Sequence, residues 1–207
     1  ADVYVQAAKF GTQKFVGVDI NVSQSAQQAQ LSFTPAGLTA SGATLEIGGP
    51  DGVITLTFSA SATTQQMADS INAQTDATGV KAITSGVGGV NGLRFVSSEY
   101  GSDAFVSVAK IPPSSTFAVT DRAGATVTRT QGRDAVATVN GIAATADGLK
   151  LSFSSSLLKL EVILAEAFGN GSQGLQGTLG TSSFAITQGG ALFQLGPQVN
   201  TNLQENI

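Results

Sequence analysis

The stretch that decides the fold is Ala43–Thr84, ATLEIGGPDGVITLTFSASATTQQMADSINAQTDATGVKAIT. Apolar and polar residues alternate beside the turn sequence Gly48–Gly52, which predicts antiparallel strands joined by a tight turn. The spacing then becomes helical, because Met67 and Ile71 fall on one side of a segment free of Gly and Pro. The stretch therefore predicts a hairpin followed by one short amphipathic helix, near residues 63–75, that packs on a sheet.

A second pattern occurs twice, about ninety residues apart, as Tyr4–Ile20 (YVQAAKFGTQKFVGVDI) and Phe95–Ile111 (FVSSEYGSDAFVSVAKI). Each copy has an aromatic residue, a glycine turn and an alternating apolar strand. We expect the aromatic residues in hydrophobic cores, where each contributes about 2–3 kcal/mol, and the glycines in turns that tolerate positive φ. The aligned pairs are Phe10 with Tyr100, Gly11 with Gly101, Phe15 with Phe105 and Val18 with Val108.

The rest of the chain reads as short alternating strands separated by glycine-rich turns. This organisation predicts a mainly β fold, a β-rich α+β protein of antiparallel sheets with the one helix. Paired prolines cannot enter the centre of a sheet, so Pro112–Ser115 is the best candidate boundary. The sequence thus predicts two small subdomains, residues 1–112 with the helix and residues 113–207, nearly all strand.

The charge pattern bears on possible partners. Only 12% of the 207 residues are charged, and the net charge is −4. Nucleic acid binding depends on clustered Lys and Arg, whereas the ten basic residues here are scattered along the sequence. We therefore predict no nucleic acid partner. No apolar run approaches the roughly 18 residues of a membrane helix, so we also predict no membrane partner.

Catalytic chemistry has few side chains to use. The chain contains neither Cys nor His, which excludes Ser-His-Asp, Cys-His and zinc-protease sites within it. Asp51, Asp121 and Asp147 lie in turn sequences, where an Asp side chain bonds nearby backbone, and the calcium-loop pattern is absent. Gly86–Gly92 lacks the Lys-Ser/Thr ending of a phosphate loop and predicts a hairpin turn. We predict no enzyme activity, no cofactor and no metal.

Ala43–Thr84 resembles the flagellin hook IN motif of bacterial flagellar proteins, a strand pair and a short helix ending in Ile71-Asn72, followed by Gly79-Val80. Gly92–Val108 looks like the segment that follows this motif in long flagellins. Gly189–Asn200 (GGALFQLGPQVN) is similar to the passage by which many flagellins re-enter their C-terminal helical region. Filament flagellin and the filament cap protein both carry the motif, and the last passage favours flagellin.

The resemblance implies a structural role in the extracellular flagellar filament. We expect the chain to be the central, surface-exposed region of a flagellin, lying between polymerising helices and joined through them to other flagellin subunits, and monomeric when isolated. The expected structural positions are Phe10, Gly11, Phe15, Met67, Ile71, Tyr100, Gly101, Phe105, Phe193 and Pro197. Phe193 and Pro197 would fix the exit of the chain toward the helical domain.

Three alternatives remain open at this point. The chain could be the outer region of the flagellar cap protein, or an adhesion module whose loops bind glycans or host surfaces. A carboxylate glycosidase would need two acids about 5–10 Å apart across a cleft, and no such pair is evident in the sequence.

Overall fold

The computed structural model describes residues 2–34, 42–87, 90–111, 117–166, 180–187, 192–194 and 204–206. In chain order the elements are β1 (Asp2–Ala8), β2 (Phe15–Gln24), β3 (Gln30–Phe33), β4 (Ala43–Gly49), β5 (Gly52–Phe58), α1 (Thr64–Asn72), α2 (Thr75–Thr78), β6 (Val80–Val87), β7 (Val90–Ser97), β8 (Phe105–Ile111), β9 (Arg129–Gln131), β10 (Val136–Val139), β11 (Ile142–Ala143), β12 (Thr145–Asp147), β13 (Lys150–Ser154), β14 (Leu158–Ile163), β15 (Gly180–Thr187), β16 (Leu192–Gln194) and β17 (Gln204–Asn206). All their pairings are antiparallel, which confirms the predicted fold class.

One hydrophobic core is built by two sheets with the strand orders β3-β7-β6 and β5-β4-β8-β9. Alternating residues of these strands point inward, and Leu31, Leu45 and Phe95 are fully buried there. Burial of each such side chain contributes about 1.5–3 kcal/mol. The rings of Phe33 and Phe117 stack with centroids 4.3 Å apart at one side of this core. We call this part of the molecule, residues 27–132, the inserted unit.

The helix α1 closes the inserted unit. The Thr63 side chain accepts a hydrogen bond from the Gln66 backbone N–H, and the Gln66 side chain accepts one from the Thr63 N–H, forming a capping box. Met67 and Ile71 are fully buried, so the apolar side of the helix faces the core. The helical segment ends in the separate short helix α2, after which Gly79 adopts the left-handed conformation with φ +70° and β6 begins.

A second core lies between the sheets β1-β14-β13-β12 and β11-β10-β2-β15. Its inward residues alternate with exposed polar ones, as in β13, where Leu151 and Phe153 are buried and their neighbours are exposed. Strand β14 contributes Leu158, Leu160 and Val162 in the same manner. We call residues 2–26 and 133–187 the framing unit, because they enclose the inserted unit in the sequence.

The path of the chain differs from the predicted division near residue 112. Strand β2 belongs to the framing unit and pairs with both β10 and β15, so the first 26 residues share a core with residues from the second half. The inserted unit continues past Pro112, since Val119 lies in its core and Val127 packs against it. The inserted unit therefore extends on both sides of the paired prolines in the sequence, and a boundary and a connection within one unit leave the same signal in sequence.

Candidate functional site: the junction between the two units

The chain passes between the two units twice, and the two passages lie side by side. Gln27 donates its backbone N–H to the Arg133 carbonyl at 2.8 Å, and Arg133 donates back to the Gln27 carbonyl at 2.9 Å. Gly101 donates to the same Gln27 carbonyl at 3.2 Å, which draws in the loop between β7 and β8. Three segments that are distant in sequence are thereby joined by backbone hydrogen bonds at the junction.

Asp134 is the side chain that holds the units together. Its Oδ2 accepts a hydrogen bond from Ser102 Oγ at 2.6 Å, and its Oδ1 accepts from the backbone N–H groups of Ser102 at 3.0 Å and Gly148 at 2.8 Å. Ser102 belongs to the inserted unit, and Gly148 belongs to the turn between β12 and β13 of the framing unit. Desolvation opposes ionisation, but the bonds from Ser102 and Gly148 outweigh it and lower the pKa of Asp134 below its ordinary value.

Glycine allows the close approach at this point. Gly101 has φ +113°, and a Cβ there would lie 2.7 Å from Asp134 Oδ1 and 2.9 Å from the Gly148 nitrogen. Gly132 is even more confined, because a Cβ there would collide with the carbonyl oxygens of Gln27 and Gly101. The backbones of Gly101 in the inserted unit and Gly148 in the framing unit therefore approach each other closely beside the Asp134 carboxylate.

An open cleft of about 540 Å³ borders the junction. Tyr100, Leu149 and Ile163 form its apolar part, and the exposed carboxylates of Glu99, Asp103 and Asp147 lie around it. Burial, and after it the negative charge of Glu166, raises the pKa of Tyr100, while Arg122 opposes the shift. Among the described residues no group of three side chains could hold a metal ion.

The two copies of the repeated pattern have different environments. Gly11 has φ +57°, and no atom lies within 4 Å of the position that a Cβ would occupy, so its turn is open, whereas Gly101 is packed in the junction. Phe10 and Tyr100 are half-buried, and Tyr100 contacts the core of the framing unit.

The expectation that all four aromatic residues lie in cores is wrong for Phe15, whose side chain is 56% exposed. Val18 in the same strand is fully buried, and because side chains alternate between faces of a strand, Phe15 must point the other way. Phe105 is likewise on the opposite face from the buried Val106, and it is half-buried under the Arg129 guanidinium at 3.6 Å.

The remaining expected positions divide into two groups. Met67 and Ile71 lie in the core of the inserted unit. Pro197 and the side chain of Phe193 fall outside the described residues. Of the carboxylates expected in turns, Asp121 accepts hydrogen bonds at Oδ1 from the N–H groups of Ala123 and Ala125, each at 2.9 Å.

Sequence reasoning missed the residues of the junction itself. Asp134 follows Arg133 in a stretch without any motif, and its partners are 14 and 32 positions away. Gly101 was the one residue in the sequence that could have indicated the junction, since a glycine in a repeated turn can mark a close approach of two backbones.

A family model matches residues 44–99 and describes the flagellin hook IN motif. The chain contains a flagellin hook IN motif. This match confirms the resemblance predicted from Ala43–Thr84 and extends it through β7 to Glu99. The hook IN motif supplies β4, β5, both helices, β6 and β7 of the inserted unit, and it ends directly before Tyr100 and Gly101 at the junction.

Solved structures of flagellar cap proteins share the overall fold. The D2-D3 domains of the cap protein FliD from Serratia marcescens are 18% identical with a TM-score of 0.55, over 89% of this chain and 98% of that chain. FliD (HAP2) from Pseudomonas aeruginosa PAO1 is 18% identical with a TM-score of 0.55, over 91% and 84%. The D1-D2-D3 domains of FliD from Escherichia coli are 21% identical with a TM-score of 0.52, over 91% and 55%.

At these identities the likeness shows a common fold. No curated protein sequence matches the chain significantly. Among the described residues, no helix is sufficiently long and apolar to span a membrane.

Proposed function

We propose that the chain is the two-unit outer region of an extracellular flagellar structural protein that assembles with other subunits of the same structure. The observation that carries this proposal is the hook IN motif at residues 44–99, placed inside a unit that is itself inserted in a second β unit. The two units are joined by backbone contacts and by Asp134, an arrangement suited to holding a fixed projection. Such a role needs rigidity and a defined surface, and it needs no catalytic group.

Within this role we favour the cap protein over filament flagellin. The fold spans 98% of the Serratia marcescens cap domains, including both units. The passage that favoured flagellin in the sequence, residues 189–200, has only Leu192–Gln194 among the described residues, so its structural context adds no support. The two candidates differ in where the protein lies on the flagellum, which gives a direct test.

The test is immunogold electron microscopy of intact flagella from the source bacterium, with antibodies raised against the 207-residue chain. A cap protein gives gold particles at the filament tip, and a filament flagellin gives them along the whole length. A strain deleted for the gene is the matched negative control. Absence of labelling on flagella from expressing cells, with the antibodies still detecting the protein in extracts, would contradict the flagellar role itself.

A second candidate, an adhesion module, is favoured by two exposed aromatic rings. Tyr4 is 55% exposed and Phe15 is 56% exposed. Exposed aromatic faces can stack on sugar rings, and their removal would abolish glycan retention while leaving the fold intact. A glycan array probed with the chain and with its Phe15→Ala variant separates this candidate from a purely structural role. Retention that Phe15→Ala leaves unchanged, or no retention at all, counts against it.

A further inference from the structure

Four buried side-chain polar atoms among the described residues lack a hydrogen-bond partner, and two of them belong to Ser25 and Arg133 on the passages between the units. The four atoms are Ser25 Oγ, Arg94 Nε, Ser98 Oγ and Arg133 Nη2. Ser25 and Arg133 lie on the two passages between the units, and Arg94 and Ser98 lie in and just after β7, which leads to the Gly101 loop. Buried polar atoms in folded proteins are almost always satisfied, so unsatisfied ones indicate a missing partner.

Two arginines bind carbonyls of the first passage that lie three residues apart. Arg133 Nε donates to the Ser25 carbonyl at 3.1 Å, and Arg122 Nη2 donates to the Gln28 carbonyl at 3.2 Å. Each bond uses one nitrogen of a guanidinium group that carries five N–H donors in total. The remaining donors of both groups are therefore available along the same short segment.

The third arginine, Arg94, pairs with β3, the strand that follows the first passage. It lies opposite Ser32 in the β3–β7 register, and Ser32 also pairs with Thr120, two residues before Arg122. Arg94 alternates with the buried Leu93 and Phe95, so its side chain lies on the face of the sheet away from the core. Strand pairing thus places Arg94 beside the strand that follows the first passage, and the charges of Arg94 and Arg133 both act on Arg122.

These arginines are not neutralised within the described part of the chain. The ion pair found there is Lys150 with Glu161 at 3.4 Å, in the framing unit, and it involves none of the three. Burial, followed by repulsion from Arg94 and Arg133, lowers the pKa of Arg122, which agrees with like charges held close together. Guanidinium groups remain charged in proteins, so the repulsion is relieved by an anion and not by loss of a proton.

We propose that Arg94, Arg122 and Arg133 form a binding site for a compact oxyanion, a phosphate, sulfate or carboxylate group. Such anions accept paired hydrogen bonds from guanidinium groups, and the oxyanion would engage the free donors of Arg94 and Arg133 together. Arg122 is exposed and provides the entrance, whereas the unsatisfied nitrogens of Arg94 and Arg133 lie inside. The bound group would join the inserted unit to the second passage and neutralise the site. This inference does not depend on the flagellar role.

Thermal unfolding of the 207-residue chain gives the first test. Unfolding is followed in sodium phosphate, sodium sulfate, sodium acetate and sodium chloride at equal ionic strength and pH. An anion that binds the folded chain at ten times its Kd raises Tm by about 3–6 °C above the chloride value. Because phosphate and sulfate also stabilise folded proteins by exclusion from the surface, only a rise that saturates with anion concentration identifies a bound tetrahedral dianion, and a saturating rise with acetate alone identifies a carboxylate. Equal Tm values in all four salts would overturn the proposal.

The second test locates the site. Arg122→Gln should weaken binding of inorganic phosphate at least about tenfold, because it removes a charged donor at the entrance. Arg129→Gln is the matched control, since Arg129 lies over the Phe105 ring elsewhere in the inserted unit and should bind as the unmodified chain does. Phosphorus NMR line broadening of phosphate by the unmodified chain, displaced by sulfate and not by chloride, measures binding without any variant. Equal binding by the Arg122 and Arg129 variants would place the anion elsewhere and contradict the assignment.

Discussion

The loops around Gly11 and Gly101 arise from the same sequence pattern but perform different tasks. The Gly11 turn is open, with no atom within 4 Å of the position of a Cβ, and it ends in a strand whose Phe15 is exposed. The Gly101 loop is enclosed by Asp134, Gly148 and the two passages between the units. A local pattern therefore specifies a turn and a strand, whereas the long-range pairing of other segments decides whether that turn becomes a structural joint.

Alanine substitutions at the matched positions Gly101 and Gly11 should give the largest difference in the free energy of unfolding. Gly101→Ala should lower the free energy of unfolding by about 3 kcal/mol or more, because it forces a side chain into a positive-φ conformation and against backbone atoms of the other unit. Gly11→Ala should lower the free energy of unfolding by only about 1 kcal/mol, the cost of a side chain at positive φ, because its turn is open. Urea denaturation of both variants measures the two values. Equal losses would mean that the Gly101 loop is no more constrained than the open turn.

Substitution of Asp134 should cause the next largest loss in the free energy of unfolding, and the size of this loss should depend on pH. The folded pKa of Asp134 is lowered, so its contribution is present above the unfolded pKa near 4 and is lost as the pH falls through the folded value. Asp134→Asn should therefore cost about 1–2 kcal/mol at pH 7, after allowance for partial exposure, and progressively less toward pH 2. Denaturation at a series of pH values measures the difference. A loss of stability that stays constant over this range would show that ionisation of Asp134 makes no contribution.

The matched phenylalanines should give the smallest difference in stability. Phe105→Ala should cost about 1–2 kcal/mol, because the ring is half-buried and lies beneath the Arg129 guanidinium. Phe15→Ala should change the free energy of unfolding by about 0.5 kcal/mol or less, since more than half of that side chain is already in water. Urea denaturation of the two variants gives both values. A larger loss for Phe15 than for Phe105 would contradict the placement of the two strands.

Local features were predictable from the sequence, and long-range ones were not. The helix with its capping Thr63, the buried Met67 and Ile71 and the return to a strand after Gly79 all depend on neighbours within a few residues. The nested path depends on pairing between Gln27 and Arg133, and the hydrogen bond from Arg133 to Ser25 joins positions 108 apart. The residue pattern of neither segment indicates that Gln27 and Arg133 pair with each other.

The same limitation applies to the arginines of the junction. Arg94, Arg122 and Arg133 are scattered in the sequence, which predicted no basic cluster, and the influence of Arg94 and Arg133 on Arg122 arises only in the folded chain. The error at Phe15 has a different origin. The alternation that buries Val18 also directs Phe15 outward, so both could not lie in one core.

Double electron–electron resonance tests directly whether the Gly101 loop and Asp134 fix the two units relative to each other. The chain has no cysteine, so Thr55→Cys in the inserted unit and Thr181→Cys in the framing unit give two exposed labelling sites without further change. We predict one narrow distance distribution for this pair, unchanged by Gly11→Ala and clearly broadened by Asp134→Ala while each unit stays folded. A distribution that is already broad in the parent pair, or one that Asp134→Ala leaves narrow, would contradict this prediction.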